Sequence, residues 1–231
     1  MIEDVFEFLQ EGVTPCHAAA TAAAWLDAAG FTRLEEADYW NLEPGRGYYI
    51  TRNGSAVVAW RVPDHAIGGW RITASHSDSP GWKVKADTVE NDGCRRLSVE
   101  GYGGMNMATW LDRPLTVAGR VLLRTGDGVE TRLVHLDRDL LVIPSLAIHM
   151  QRDVNRGHEY NPQIDMQPLW GPAEGRTLTD LLCEELGVAA ADILDRDLQL
   201  VVRQTPARIG PDGEFFLAPR IDDLECAAAT L

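Results

Sequence analysis

His76 and Asp78 stand two residues apart in the segment Ser75-His76-Ser77-Asp78-Ser79-Pro80. A neutral imidazole binds zinc through one nitrogen, and a carboxylate on the other nitrogen fixes the tautomer and makes the ring a better donor. By itself the spacing is a weak signal, since a lone histidine near a strand end is more often an ordinary hydrogen-bonded polar residue. Asp222, with Asp223 beside it, falls between a predicted strand and a predicted helix, where a carboxylate can cap helix amides or bridge two metal ions. His149 lies in Leu146-Ala147-Ile148-His149-Met150, and a histidine among such apolar neighbours is ordinarily satisfied within a core or an interface. Gly101-Tyr102-Gly103-Gly104 lacks both the Lys and Ser/Thr of a phosphate loop and the glycine spacing of a dinucleotide fingerprint, which argues against nucleotide binding. Neither a Gly-x-Ser-x-Gly nucleophile elbow nor a His-Glu-x-x-His helix occurs.

The elements that must carry these residues follow from periodicity and capping. Ile2, Val5, Phe6 and Leu9 recur at helical spacing, and a second helix is bounded by Thr14 as cap, Pro15 in its first turn and Gly30 as its stop. Apolar runs at 48–51 and 55–60 flank Asn53-Gly54, the pair best suited to the positive φ angles of a tight hairpin. A strand over 70–74 is predicted to deliver His76 at its end, where open α/β sheets place their sites. From 88 to 205 the pattern is mostly β, with strands at 97–100, 115–124, 129–136 and 198–203, a turn at 125–128 and one helix near 178–186. A strand at 214–218 then leads to a helix opened by Asp222. That helix runs to Leu231 without a stop signal, which predicts that the natural fold continues past this residue.

With 231 residues, 45% of them hydrophobic, the chain can bury a genuine core. Its 35 acidic and 21 basic residues give a formal charge of -14, which repels nucleic acid and anionic lipid, so neither is an expected partner. The acidic start and the lack of a long apolar run predict a cytoplasmic protein without a membrane span. Cys16, Cys94, Cys183 and Cys226 form no Cys-x-x-Cys pair and are read as reduced, structural and mostly buried.

Taken in order, several blocks resemble the aspartyl aminopeptidase family of cocatalytic zinc metallopeptidases. They include Pro15-Cys16-His17-Ala18, the segment from Ser75 to Lys85, Tyr102-Gly103-Gly104, Thr109-Trp110-Leu111-Asp112-Arg113-Pro114-Leu115, Ala118-Gly119-Arg120-Val121, Leu146-Ala147-Ile148-His149, Asp153-Val154-Asn155, Asn161-Pro162 and Arg220-Ile221-Asp222-Asp223-Leu224. The resemblance implies an α/β, mixed-sheet catalytic domain interrupted by a β-rich dimerisation domain, divided here as 1–87, 88–205 and 206–231. It further implies dimers that assemble into a dodecamer, two zinc ions, and release of N-terminal residues, acidic ones among them, from peptides. By the same likeness His76 ligates one zinc, Asp78 orients it, Asp222 bridges both metals, and His149 reaches a neighbouring subunit's site or serves as a zinc ligand. Asp223 stands where the family usually has Asn, and Pro114 where an acidic residue is common. The family's adjacent glutamate pair, a further acidic ligand and a final histidine correspond to positions beyond Leu231, so these 231 residues alone are expected to be inactive. The alternatives are a noncatalytic assembly or regulatory subunit that keeps the dimerisation domain, and a metal-dependent deacylase of the wider fold group.

Overall fold

The computed structural model describes residues 2–65, 68–91 and 93–231. The chain begins with helices α1 (Ile2–Glu11) and α2 (Pro15–Ala28), then strands β1 (Thr32–Arg33), β2 (Gly47–Arg52) and β3 (Ala56–Arg61). Next come β4 (Gly81–Asn91), β5 (Cys94–Tyr102), β6 (Leu115–Thr125), β7 (Gly128–His135) and β8 (Leu169–Pro172), followed by α3 (Leu178–Leu186) and β9 (Ile193–Val202). The short strands β10 (Ala207–Ile209) and β11 (Phe215–Leu217) lead into α4 (Ile221–Thr230). These elements form two compact units, Met1–Ser79 with Thr205–Leu231, and Pro80–Gln204. The fold is therefore the mixed α/β type read from the sequence, with residues 80–87 grouped with the β-rich unit because they begin β4.

In the first unit Thr14 caps α2, its hydroxyl accepting the His17 amide, and Pro15 occupies the first turn, where its missing N–H would have had no partner. Phe8 and Leu9 from α1 and the small Ala18 and Ala22 from α2 form one core with Leu224 and Ala227 of α4. Gly12 permits this approach, since a Cβ there would lie 2.8 Å from the Phe8 carbonyl and 3.1 Å from Leu224. The hairpin forms as expected, with Asn53 at φ 52° and Gly54 at φ 65° between β2 and β3. Tyr49 on β2 is buried and donates its hydroxyl to Asp27 of α2 at 2.8 Å, tying the hairpin to the helices.

Two expectations fail in this unit. Residues 68–79 form no strand, because the predicted strand at 70–74 has no ladder partner among the described residues. β-branched and aromatic residues favour a strand only when a neighbour supplies hydrogen bonds and cover, and Trp70 and Ile72 are 64% and 85% exposed. All four cysteines are free, yet Cys226 is exposed, since Leu224 and Ala227 take the core-facing positions of α4.

The second unit is a six-stranded antiparallel sheet in the order β7-β6-β9-β4-β5-β8. Its core joins Trp82, Leu97, Val99, Leu115, Val117 and Val121 from the strands to Leu178, Leu181 and Leu182 of α3. α3 starts in a capping box between Thr177 and Asp180, and Gly187 ends it in the left-handed region at φ 65°. Asp87 on β4 adds a second cap by accepting the amides of Leu178 at 2.9 Å and Thr179 at 3.2 Å and the Thr179 hydroxyl. Burial raises the pKa of Asp87, but the Thr179 hydroxyl, the Thr88 and Leu178 amides and the charge of Arg196 outweigh it and hold the carboxyl below its usual range.

A group with a depressed folded pKa stabilises fully above its unfolded value, about 3.9 for Asp, and loses that contribution as pH falls through the folded value. Asp87→Ala is accordingly expected to destabilise this unit by about 1–2 kcal/mol at neutral pH, the usual range for a lost helix cap. Urea melts from pH 7 down to pH 3 should show the difference between variant and parent shrinking toward the acid end. Among the described residues no helix is long and apolar enough to cross a membrane.

Candidate metal centre

The first turn of α4 is irregular, with Asp222 at φ -81°, ψ 106° and Asp223 at φ -120°, ψ 21°, joined by a cis peptide. Arg220 precedes them in the left-handed region at φ 62°, and its guanidinium donates to the Leu9 carbonyl at 2.7 Å. Burial lowers the pKa of Arg220 to about 10, which leaves it charged at neutral pH. The helix offers no side-chain cap at its start, so the cap role open to Asp222 is not the one its surroundings favour. Buried Leu224 and Ala227 fix the body of the helix, and the acidic pair projects from an anchored end.

His76 meets this pair. Its Nδ1 lies 2.9 Å from the Asp78 carbonyl oxygen and 3.0 Å from Asp78 Oδ1. Both are acceptors, so Nδ1 carries the proton and the Nε2 lone pair remains for a ligand. Nε2 faces Asp222 Oδ1 at 3.3 Å and Asp223 Oδ2 at 3.5 Å. Burial lowers the imidazole pKa, but the Asp78 carbonyl and carboxylate and the charge of Asp223 outweigh it and raise it above its ordinary value. Asp223 in turn is held below the usual carboxylate range, chiefly by a hydrogen bond from the Cys226 thiol, with burial opposing and the His76 amide and ring assisting. A zinc ion at Nε2 competes with a proton for the same lone pair, so metal binding there weakens as pH falls.

His76, Asp222 and Asp223 can each offer one ligand atom, and these atoms lie within 4.8 Å of one another. One imidazole nitrogen with carboxylate oxygens is a donor set that suits zinc. Asp78 stands behind the ring, in contact with the nitrogen turned away from the group. His149 belongs to the other unit, on a turn closed by the Met150 amide on the Ala147 carbonyl at 2.8 Å. Its segment is no core, since Leu146, Ile148 and Met150 are all exposed. The sequence alone gives Asp223 no separate role. The only local signal for it is the doubled acidic residue, because its partner His76 is 147 positions away.

Residues 8–231 match the family model described as aminopeptidase I zinc metalloprotease (M18). A probable M18 family aminopeptidase 2 of Pseudomonas fluorescens (strain SBW25) is 38% identical over 232 residues, which cover 96% of this chain and 54% of that protein. The solved structure of Chaetomium thermophilum mApe1 superposes with a TM-score of 0.84 at 30% identity, covering 94% of this chain and 54% of the other. A chain of the solved Ape4 and Nbr1 complex gives a TM-score of 0.91 at 32% identity, covering 97% of this chain and 48% of that one. The chain spans about half the length of the curated relatives it matches.

Proposed function

Because the chain belongs to the aminopeptidase I zinc metalloprotease (M18) family, we propose that the protein containing it releases N-terminal residues from peptides by zinc-assisted hydrolysis. The observation that carries this reading is the pairing of His76 Nε2 with Asp222 Oδ1 at 3.3 Å while Asp78 occupies Nδ1. Two zinc ions held here would polarise the scissile carbonyl and lower the pKa of a bound water. His76 would donate Nε2 to one ion, and Asp78 would keep the proton on Nδ1 and the ring in place. Asp222, whose side chain is 72% exposed, has oxygens free to be shared between both ions. Family likeness assigns proton transfer to a glutamate outside these 231 residues, and preference for N-terminal Asp or Glu belongs to the same proposal.

The β-rich unit would build the dimer and, through it, a dodecamer. Exposed Leu146, Ile148 and Met150 around His149 suit such an interface, from which His149 would reach a neighbouring subunit's site. Four free cysteines suit the reducing cytoplasm, where we place the protein. The alternative reading is a noncatalytic assembly subunit with the same interface.

The test is to express the full product of the gene and measure release of N-terminal residues from short peptides, including ones that begin with Asp or Glu. Activity abolished by a chelator and restored by zinc is expected, whereas a pure product inactive under every metal condition would favour the assembly reading.

A further inference from the structure

Among the described residues no strand ladder holds the segment that carries His76, and side-chain ties set where the imidazole points. Ser77 donates to the Ser55 carbonyl at 3.2 Å, and the Ser75 and Thr230 hydroxyls meet at 3.4 Å. The main chain of His76 itself is held by Asp223, whose Oδ2 accepts the His76 amide at 3.2 Å. Asp223 follows Asp222 directly, so this bond fixes the backbone of one zinc donor to the residue beside the other.

We infer that Asp223 is a positioning residue: its carboxylate grips the His76 main chain and thereby sets the imidazole against Asp222. The exposures of the two acidic side chains divide the work, because Asp223 is only 19% exposed whereas Asp222 is 72% exposed and open to a ligand. An amide oxygen can accept the His76 N–H as a carboxylate does, and a methyl group cannot. The grip therefore survives Asp223→Asn and is lost in Asp223→Ala. A directly ligating Asp223 would behave otherwise, since an amide is a poor substitute for a zinc-bound carboxylate.

The inference rests on the reading of His76 as a zinc donor, and two measurements on the 231-residue chain separate the two claims. The first is amide hydrogen exchange at His76 without metal, with the Leu224 amide as a reference for an intact α4. Exchange at His76 should quicken at least about tenfold in Asp223→Ala, the worth of a hydrogen bond to a carboxylate, and only a few-fold in Asp223→Asn. The second is zinc affinity by competition with a chromophoric chelator in about 1 M salt, where a Debye length of about 3 Å mutes the mere loss of charge. Affinity should fall about 10–100-fold in Asp223→Ala, as for other outer partners of metal ligands, and stay within about threefold in Asp223→Asn.

An unprotected His76 amide in the parent chain, or an Asp223→Ala variant that matches the parent in either measurement, overturns the inference. So does an Asp223→Asn variant as weak as Asp223→Ala, which would make Asp223 a ligand. Zinc affinity unchanged by His76→Ala would instead defeat the zinc reading, and the exchange measurement would still decide whether Asp223 grips His76.

Discussion

Asp222→Ala is expected to weaken zinc binding to the chain by more than about 100-fold, beyond the range for losing an outer partner of a metal ligand, while leaving stability within about 0.5 kcal/mol. The separation of the two effects follows from geometry. Asp222 Oδ1 faces His76 Nε2 at 3.3 Å, yet the side chain is 72% exposed and caps no helix amide. Its loss removes a donor without opening a cavity or stranding a buried group. Competition titration with zinc reads the first quantity and a urea melt the second. His76→Ala should behave in the same way, whereas Asp78→Ala leaves Nε2 and Asp222 untouched and should cost only about 10–100-fold in affinity. Equal zinc affinity in the parent and Asp222→Ala would remove Asp222 from the metal centre.

Gly119→Ala should destabilise the β-rich unit by about 3 kcal/mol or more, the upper range for overpacking. Gly119 pairs with Leu198 where β6 meets β9, at φ 156°. A Cβ there would stand 2.1 Å from the Asp197 carbonyl oxygen and 2.8 Å from Leu198 Cα. Both are backbone atoms of the partner strand, so no rotamer change relieves the clash and the two strands must part. Gly126, in the turn between β6 and β7, has nothing within 4 Å of such a Cβ and serves as the control. Urea unfolding followed by tryptophan fluorescence, to which the fully buried Trp82 of this unit's core contributes, reports the difference. A midpoint for Gly119→Ala equal to that of Gly126→Ala would mean that the β6–β9 register is not the one described.

Where the chemistry of an element is local, it was legible in the sequence. Thr14 and Pro15 announce α2, Asn53-Gly54 announces the β2–β3 hairpin, and both form as expected. The strand predicted at 70–74 did not form, because a strand depends on a neighbour that no local pattern reveals. β4 shows the converse, since it forms although its burial does not alternate and its register shifts between Val84 and Thr88, so no simple period marks it in the sequence. Its first half was read with the residues that precede it, because the polar motif ending at Pro80 runs directly into it. At the candidate site, His76 and Asp78 are neighbours and their pairing could be inferred from spacing. The approach of Asp222 was suggested by family resemblance alone, and the grip of Asp223 on His76 needed three dimensions.

The most direct test of the zinc centre is anomalous diffraction at the zinc edge from a crystal of the chain equilibrated with zinc. The account predicts a peak bonded to His76 Nε2 and to a carboxylate oxygen of Asp222. Zinc bound only elsewhere on the chain, or no peak at these two side chains at saturating zinc, would contradict it.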